Sequence, residues 1–82
     1  MKLLISKSAS KALDKIPDKL ARKIAVEIQK LGENPFSRQS RKLVGQDNYR
    51  IRIGVYRVIY WVDKKNQRII ILRIAHRREV YR

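Results

Sequence analysis

The chain has 82 residues, 44% of them hydrophobic and 34% charged, which is enough apolar material for one modest core and argues against a disordered segment. Lys and Arg number 21 against 7 Asp and Glu, a formal net charge of +14, and self-repulsion on that scale is best tolerated when the partner is a polyanion. With no cysteine, a single histidine and no apolar run longer than Leu3-Leu4-Ile5 near the start, disulfides, thiolate metal sites, a signal core and a membrane span are not expected. These bounds predict one cytoplasmic domain over residues 1–82.

Charge is distributed unevenly. Residues 1–35 carry +4, and seven of their eight cations are Lys; residues 36–82 carry +10, and ten of their thirteen cations are Arg. A guanidinium presents a planar fork of donors that matches phosphate oxygens and stacks on bases, so the second half suits phosphate contact better than simple solvation does.

In chain order, Leu3 to Ile5 read as a first strand. Ser6 or Ser8 caps a helix with Ala9, Ala12, Leu13 and Ile16 on one face, and Pro17 ends it. From Asp18 a second helix carries Leu20, Ile24, Ile28 and Leu31, widened by Ala21 and Ala25, until Gly32 and Pro35 stop it. The pair forms a hairpin whose apolar side covers a sheet and whose other side, with Lys11, Lys15, Lys19, Lys23 and Lys30, is solvated.

Phe36 to Asn48 lacks a period and reads as a connecting loop holding Arg38, Arg41 and Lys42. Tyr49-Arg50-Ile51-Arg52-Ile53 then alternates strictly, and Gly54 permits a tight turn. Along Val55 to Val62, Tyr56, Val58, Tyr60 and Val62 face one way while Arg57, Ile59 and Trp61 face the other. After a turn at residues 63–67, Arg68 to Ile74 is apolar on both faces apart from Arg68 and Arg73. The fold class that results is α+β, in the order β-α-α-β-β-β: an N-terminal strand, a two-helix hairpin and a three-stranded antiparallel meander, with the helices on one face of the sheet.

The other face gathers Arg50, Arg52, Arg57 and Arg73, with Trp61 and Ile59 as a floor on which bases can rest. Arginines on an exposed sheet also block edge pairing, but Lys and Glu serve that purpose equally well, and the pattern here is Arg alone. The tail adds His76, Arg77, Arg78 and Tyr81 beside Glu79. No metal-ligand cluster, Ser-His-Asp spacing or glycine-rich phosphate loop occurs, so no metal and no cofactor is called for. The chemistry still within reach is attack of a 2′-hydroxyl on the neighbouring phosphodiester, which needs cationic donors around the phosphorane, a base for the hydroxyl and an acid for the 5′ oxygen.

The order of elements, the string Tyr-Arg-Val-Ile-Tyr at residues 56–60 and the string His-Arg-Arg-Glu-Val-Tyr at residues 76–81 together resemble the RelE/ParE superfamily of toxins, over nearly the whole chain. The resemblance implies a type II toxin neutralised by a cognate acidic antitoxin, the complex binding operator DNA. For RelE-like members it implies a ribosome-dependent endoribonuclease, an mRNA interferase that inhibits translation by cutting messenger in the 30S A site. Positions matching the family's functional residues are Arg50, Arg52, Arg57, Arg77 and Tyr81, of which Arg57 and Arg77 would hold the scissile phosphate. Arg41, Lys42, Trp61, Arg73 and Arg78 would add RNA contacts. Arg50 and Arg52 stand where the best-known member has lysines, and a guanidinium that stays protonated is a poor base, so Tyr81 or His76 is left to move the proton. The alternative within the same resemblance is a ParE-like poison of DNA gyrase that is not itself an enzyme; a basic RNA-binding module without toxicity is a third reading.

Overall fold

The computed structural model describes residues 1–36, 40–42 and 48–76. In chain order it forms β1 (Lys2–Ile5), α1 (Lys7–Asp14), α2 (Asp18–Glu33), β2 (Arg41–Lys42), β3 (Asn48–Ile53), β4 (Tyr56–Asp63) and β5 (Arg68–His76). The strands make one sheet in the order β1-β5-β4-β3-β2, antiparallel except that β1 runs parallel to β5. Both helices intervene between β1 and the rest, and a crossover of that kind is what a parallel pair requires.

The expected α+β arrangement is present, with differences of detail. Arg41 and Lys42, read as loop, pair with Arg50 and Tyr49 as an edge strand too short to show any period. Helix α2 runs through Gly32 to Glu33 rather than stopping at the glycine. A glycine inside a helix costs only about 1 kcal/mol against alanine, and the buried Leu31 in the same turn outweighs it. Pro35 is the stronger signal: it drives Asn34 to an extended conformation (φ −144°, ψ 90°), which ends the helix.

The core lies between the helices and one face of the sheet. Ala9, Ile16, Ile24, Ile28 and Leu31 come from the helices, and Ile51, Ile53, Val58, Tyr60, Val62, Ile69, Ile71 and Ile74 from the strands. Leu20, expected on the buried stripe, is 39% exposed, because the stripe meets the sheet only from Ala21 onward. Between β3 and β4 the hairpin turns in two residues, Gly54 and Val55, and closes on the pair Ile53–Tyr56. Gly54 adopts φ +59°, a conformation that the first position of such a turn requires and that a side chain disfavours.

Ile24 is fully buried at the centre of this layer. Ile24→Ala should cost about 2–5 kcal/mol, read as a lower urea midpoint with an unchanged slope.

Candidate nucleic-acid interface

Residues directly opposite one another in neighbouring strands project to the same side, so the register resolves the face away from the helices into cross-strand rows. The row nearest the Gly54 turn is Arg52–Arg57–Ala75, and the next is Arg41–Arg50–Ile59–Arg73. Beyond them lie Asn48–Trp61–Ile70–Leu4 and then Asp63–Arg68–Lys2. Five of the predicted arginine positions, 41, 50, 52, 57 and 73, therefore fall in two adjacent rows, and Trp61 lies in the third. Arg52 is exposed, Arg50 half-buried and Arg57 only 7% exposed, so Arg57 is the guanidinium most withdrawn from water on this face.

Arg73 reaches this face through an irregularity. Strict alternation from the buried Ile69 and Ile71 would turn it into the core. Ile59 pairs with Arg73 and Tyr60 with Ile71, which leaves Leu72 as an extra residue in β5. This bulge reverses the parity of the strand, sending Arg73 outward and Ile74 inward, and such re-aiming is what bulges do beside functional surfaces. Ser6 secures it. Its hydroxyl donates to the Leu72 carbonyl at 2.8 Å while accepting the Ala9 N–H at 3.0 Å as the N-cap of α1, and its own N–H donates to the Ile71 carbonyl at 2.9 Å.

Among the described residues Asp63 is the one carboxylate on the arginine face. It accepts Arg68 Nε at 2.9 Å and Asn66 Nδ2 at 2.9 Å, and hydrogen bonds from Asn66 first and Arg68 second hold it below the usual carboxylate range. Its charge is thus already balanced and subtracts little from the field of the arginines. On the helix side, Tyr60 donates to the Pro35 carbonyl at 2.6 Å and stacks on Tyr49 (centroids 5.8 Å apart, 23° between planes); burial raises its hydroxyl above the ordinary phenol value.

His76 does not join the arginines. It pairs with Tyr56, edge to face at 5.4 Å, and both line a groove of about 710 Å³ between the sheet and α1, together with Lys7, Lys11 and Lys15. Those lysines, expected to be merely solvated where they were noted at all, follow an i, i+4, i+8 spacing that is visible in the sequence. Lys42, exposed, lies at the opposite end of the sheet with Tyr49, Trp61, Lys64 and Lys65 around a groove of about 370 Å³. Arg77, Arg78 and Tyr81 lie outside the described residues, as does Arg38.

A sheet of this topology with helices on one face is shared with solved toxin–antitoxin complexes. The RelE–RelB complex from Pyrococcus horikoshii is similar at 33% identity over 93% of each chain, with a TM-score of 0.79. The RelB–RelE complex from Methanococcus jannaschii matches at 27% identity over 95% of this chain and 94% of that one (TM-score 0.78). At 24% identity, the RelBE2 toxin–antitoxin complex from Mycobacterium tuberculosis agrees in fold, with a TM-score of 0.82 over 93% of this chain and 96% of that one. No curated protein sequence matches the chain significantly. The family described as the ParE toxin of the type II toxin–antitoxin system parDE matches residues 3–81. The chain belongs to the RelE/ParE superfamily and is a toxin of a type II toxin–antitoxin system.

Two outcomes follow from the clamps on this face. Ser6→Ala should lower stability by about 0.5–2 kcal/mol through the lost cap and loosen the bulge, seen as faster amide exchange around Leu72 and Arg73. Because its folded pKa is depressed, Asp63 contributes stability that is complete above the unfolded carboxylate value of about 3.9 and is lost as pH falls toward the depressed value. Asp63→Asn should therefore melt at a lower temperature than the parent at pH 7, and the gap should close as the pH is taken below that value.

Proposed function

We propose that this toxin, acting as a single domain, is a ribosome-dependent endoribonuclease that cuts messenger RNA in the A site without a metal. The observation that carries this reading is the pair Arg52 and Arg57, directly opposed in neighbouring strands with Arg50, Arg41 and Arg73 in the next row. Guanidinium groups so placed can present donors to one phosphate from two neighbouring strands.

In this reading a base takes the proton of the 2′-hydroxyl, and its oxygen attacks the adjacent phosphorus. The bond to the 5′ oxygen then breaks as that oxygen gains a proton, leaving a 2′,3′-cyclic phosphate and a free 5′-hydroxyl. Arg57 and Arg77 hold the scissile phosphate, and Arg50 and Arg52 stabilise the charge that develops on its oxygens. Proton transfer falls to Tyr81, because His76 stands with Tyr56 on the helix side of the sheet. The toxin works in the cytoplasm. An acidic antitoxin neutralises it by covering the cationic face, and the complex binds operator DNA.

The family match to ParE supports a second reading, a gyrase poison that acts by binding alone. One fold hosts both activities, so the target has to be measured. In a translating extract, primer extension should reveal cuts in ribosome-bound messenger that are absent from naked RNA, and a 2′-deoxy sugar at the cut position should block them. Arg57→Ala should slow cutting about 10²–10³-fold with the melting curve intact, and Tyr81→Phe should also slow it, while His76→Ala leaves it near the parent rate. Uncut messenger together with arrested replication would replace this reading with the gyrase one.

A further inference from the structure

At the end of the sheet where β3 begins and β4 finishes, remote from the Gly54 turn, Lys42, Lys64 and Lys65 surround the groove that also exposes Trp61 and the edge of Tyr49. All three lysines are exposed, and Lys64 Nζ lies 5.3 Å from the centroid of the Phe36 ring, which in turn meets Tyr49 edge to face at 5.3 Å. The one acid in the lining, Asp63, is already bonded to Arg68 and Asn66, so the groove keeps the full charge of its lysines. Trp61 also belongs to the third row of the arginine face, four residues along β4 from Arg57, or about 13 Å. Lys42 and Tyr49 pair with each other in the row of Tyr60, on the helix side, so the groove straddles the end of the sheet and meets the arginine rows at Trp61.

We propose that Lys42, Lys64 and Lys65, with Trp61 and Tyr49, form a second contact site for single-stranded RNA that holds the strand on one side of the arginine cluster. A single strand offers what this groove takes, namely phosphates for flexible ammonium groups and the flat face of a base for an indole. An acidic peptide would satisfy the lysines and leave the aromatic wall without a matching surface. At about 3.4 Å per stacked nucleotide, the separation between Trp61 and Arg57 corresponds to roughly four nucleotides, so the site lets the toxin grip messenger outside the codon it cuts. The proposal rests on the reading of the arginine face as an RNA surface, and it is separable from cleavage.

Trp61 is the only tryptophan of the chain, so its fluorescence reports this groove directly. An eight-nucleotide single-stranded RNA of mixed sequence should quench it on titration of the full chain. Each lysine-phosphate contact adds about 0.7 to the steepness of log K against log salt, so Lys64→Ala combined with Lys65→Ala should flatten that slope by about 1.4 with the melting temperature unchanged. Quenching should persist in Arg52→Ala/Arg57→Ala, which loses cleavage. An unchanged slope in the lysine variant, or quenching by polyglutamate and not by RNA, overturns the site. If the parent binds RNA through these lysines yet cuts no messenger, the nuclease reading falls and this site stands; if it cuts and the lysine variant binds as the parent does, the reverse holds.

Discussion

Among the described residues helices cover only one side of the sheet, and that constraint organises the rest of the described structure. Each strand must supply apolar side chains to the core at every second position, so the intervening positions are committed to the open face whatever they carry. In β3 and the first half of β4 those positions hold Arg50, Arg52 and Arg57, while the core receives Ile51, Ile53, Val58 and Tyr60. A one-residue slip of β3 against β4 would bury two arginines and expose two isoleucines, so the register that stabilises the fold is the same one that assembles the cationic surface. Core and site cannot be changed independently.

Strand β5 pairs with β1 on one side and β4 on the other. Its bulge at Leu72 lets Ile69, Ile71 and Ile74 all reach the core despite an odd spacing, and turns Arg73 to the opposite side. A bulged carbonyl needs a donor, and Ser6 provides it from the junction of β1 with α1. The same hydroxyl caps the helix. One small side chain thus couples the start of the helical layer to the placement of a charge on the far face.

Much of this was legible because period-two alternation is unambiguous where it is strict. Arg50, Arg52, Arg57 and Trp61 could be placed on one face from spacing alone, and the register puts them in adjoining rows. What escaped had physical causes. In β5 nearly every residue is apolar, so parity carries no signal and a bulge cannot be seen. Two-residue β2 has no period at all, and its pairing depends on the neighbouring strand rather than on Arg41 or Lys42 themselves. Leu20 looked buried because a helical stripe reveals which residues share a face but not how far along the helix the sheet extends. His76 looked like a companion of the arginines because it is near them in sequence, yet as the partner of Tyr56 it takes the side of the core and the α1 lysines. Lys64 and Lys65 were hidden in a turn, since a turn's composition is polar whether or not it borders a groove.

The distribution of groups between the two faces bears on how such a surface can act. Arginines cannot serve as bases near neutral pH, but a guanidinium withdrawn from water, as Arg57 is, stabilises developing negative charge more strongly than one in bulk solvent because the screening around it is weaker. The described part of the open face is therefore built for electrostatic work. With the histidine beside Tyr56 on the other side, proton transfer on this face is left to other groups. On the proposed nuclease reading, such a surface would draw its rate from where it holds the phosphate and would depend on its substrate being presented in a reactive geometry. On that reading, an A site that fixes the messenger codon by codon would supply this positioning in a way naked RNA does not.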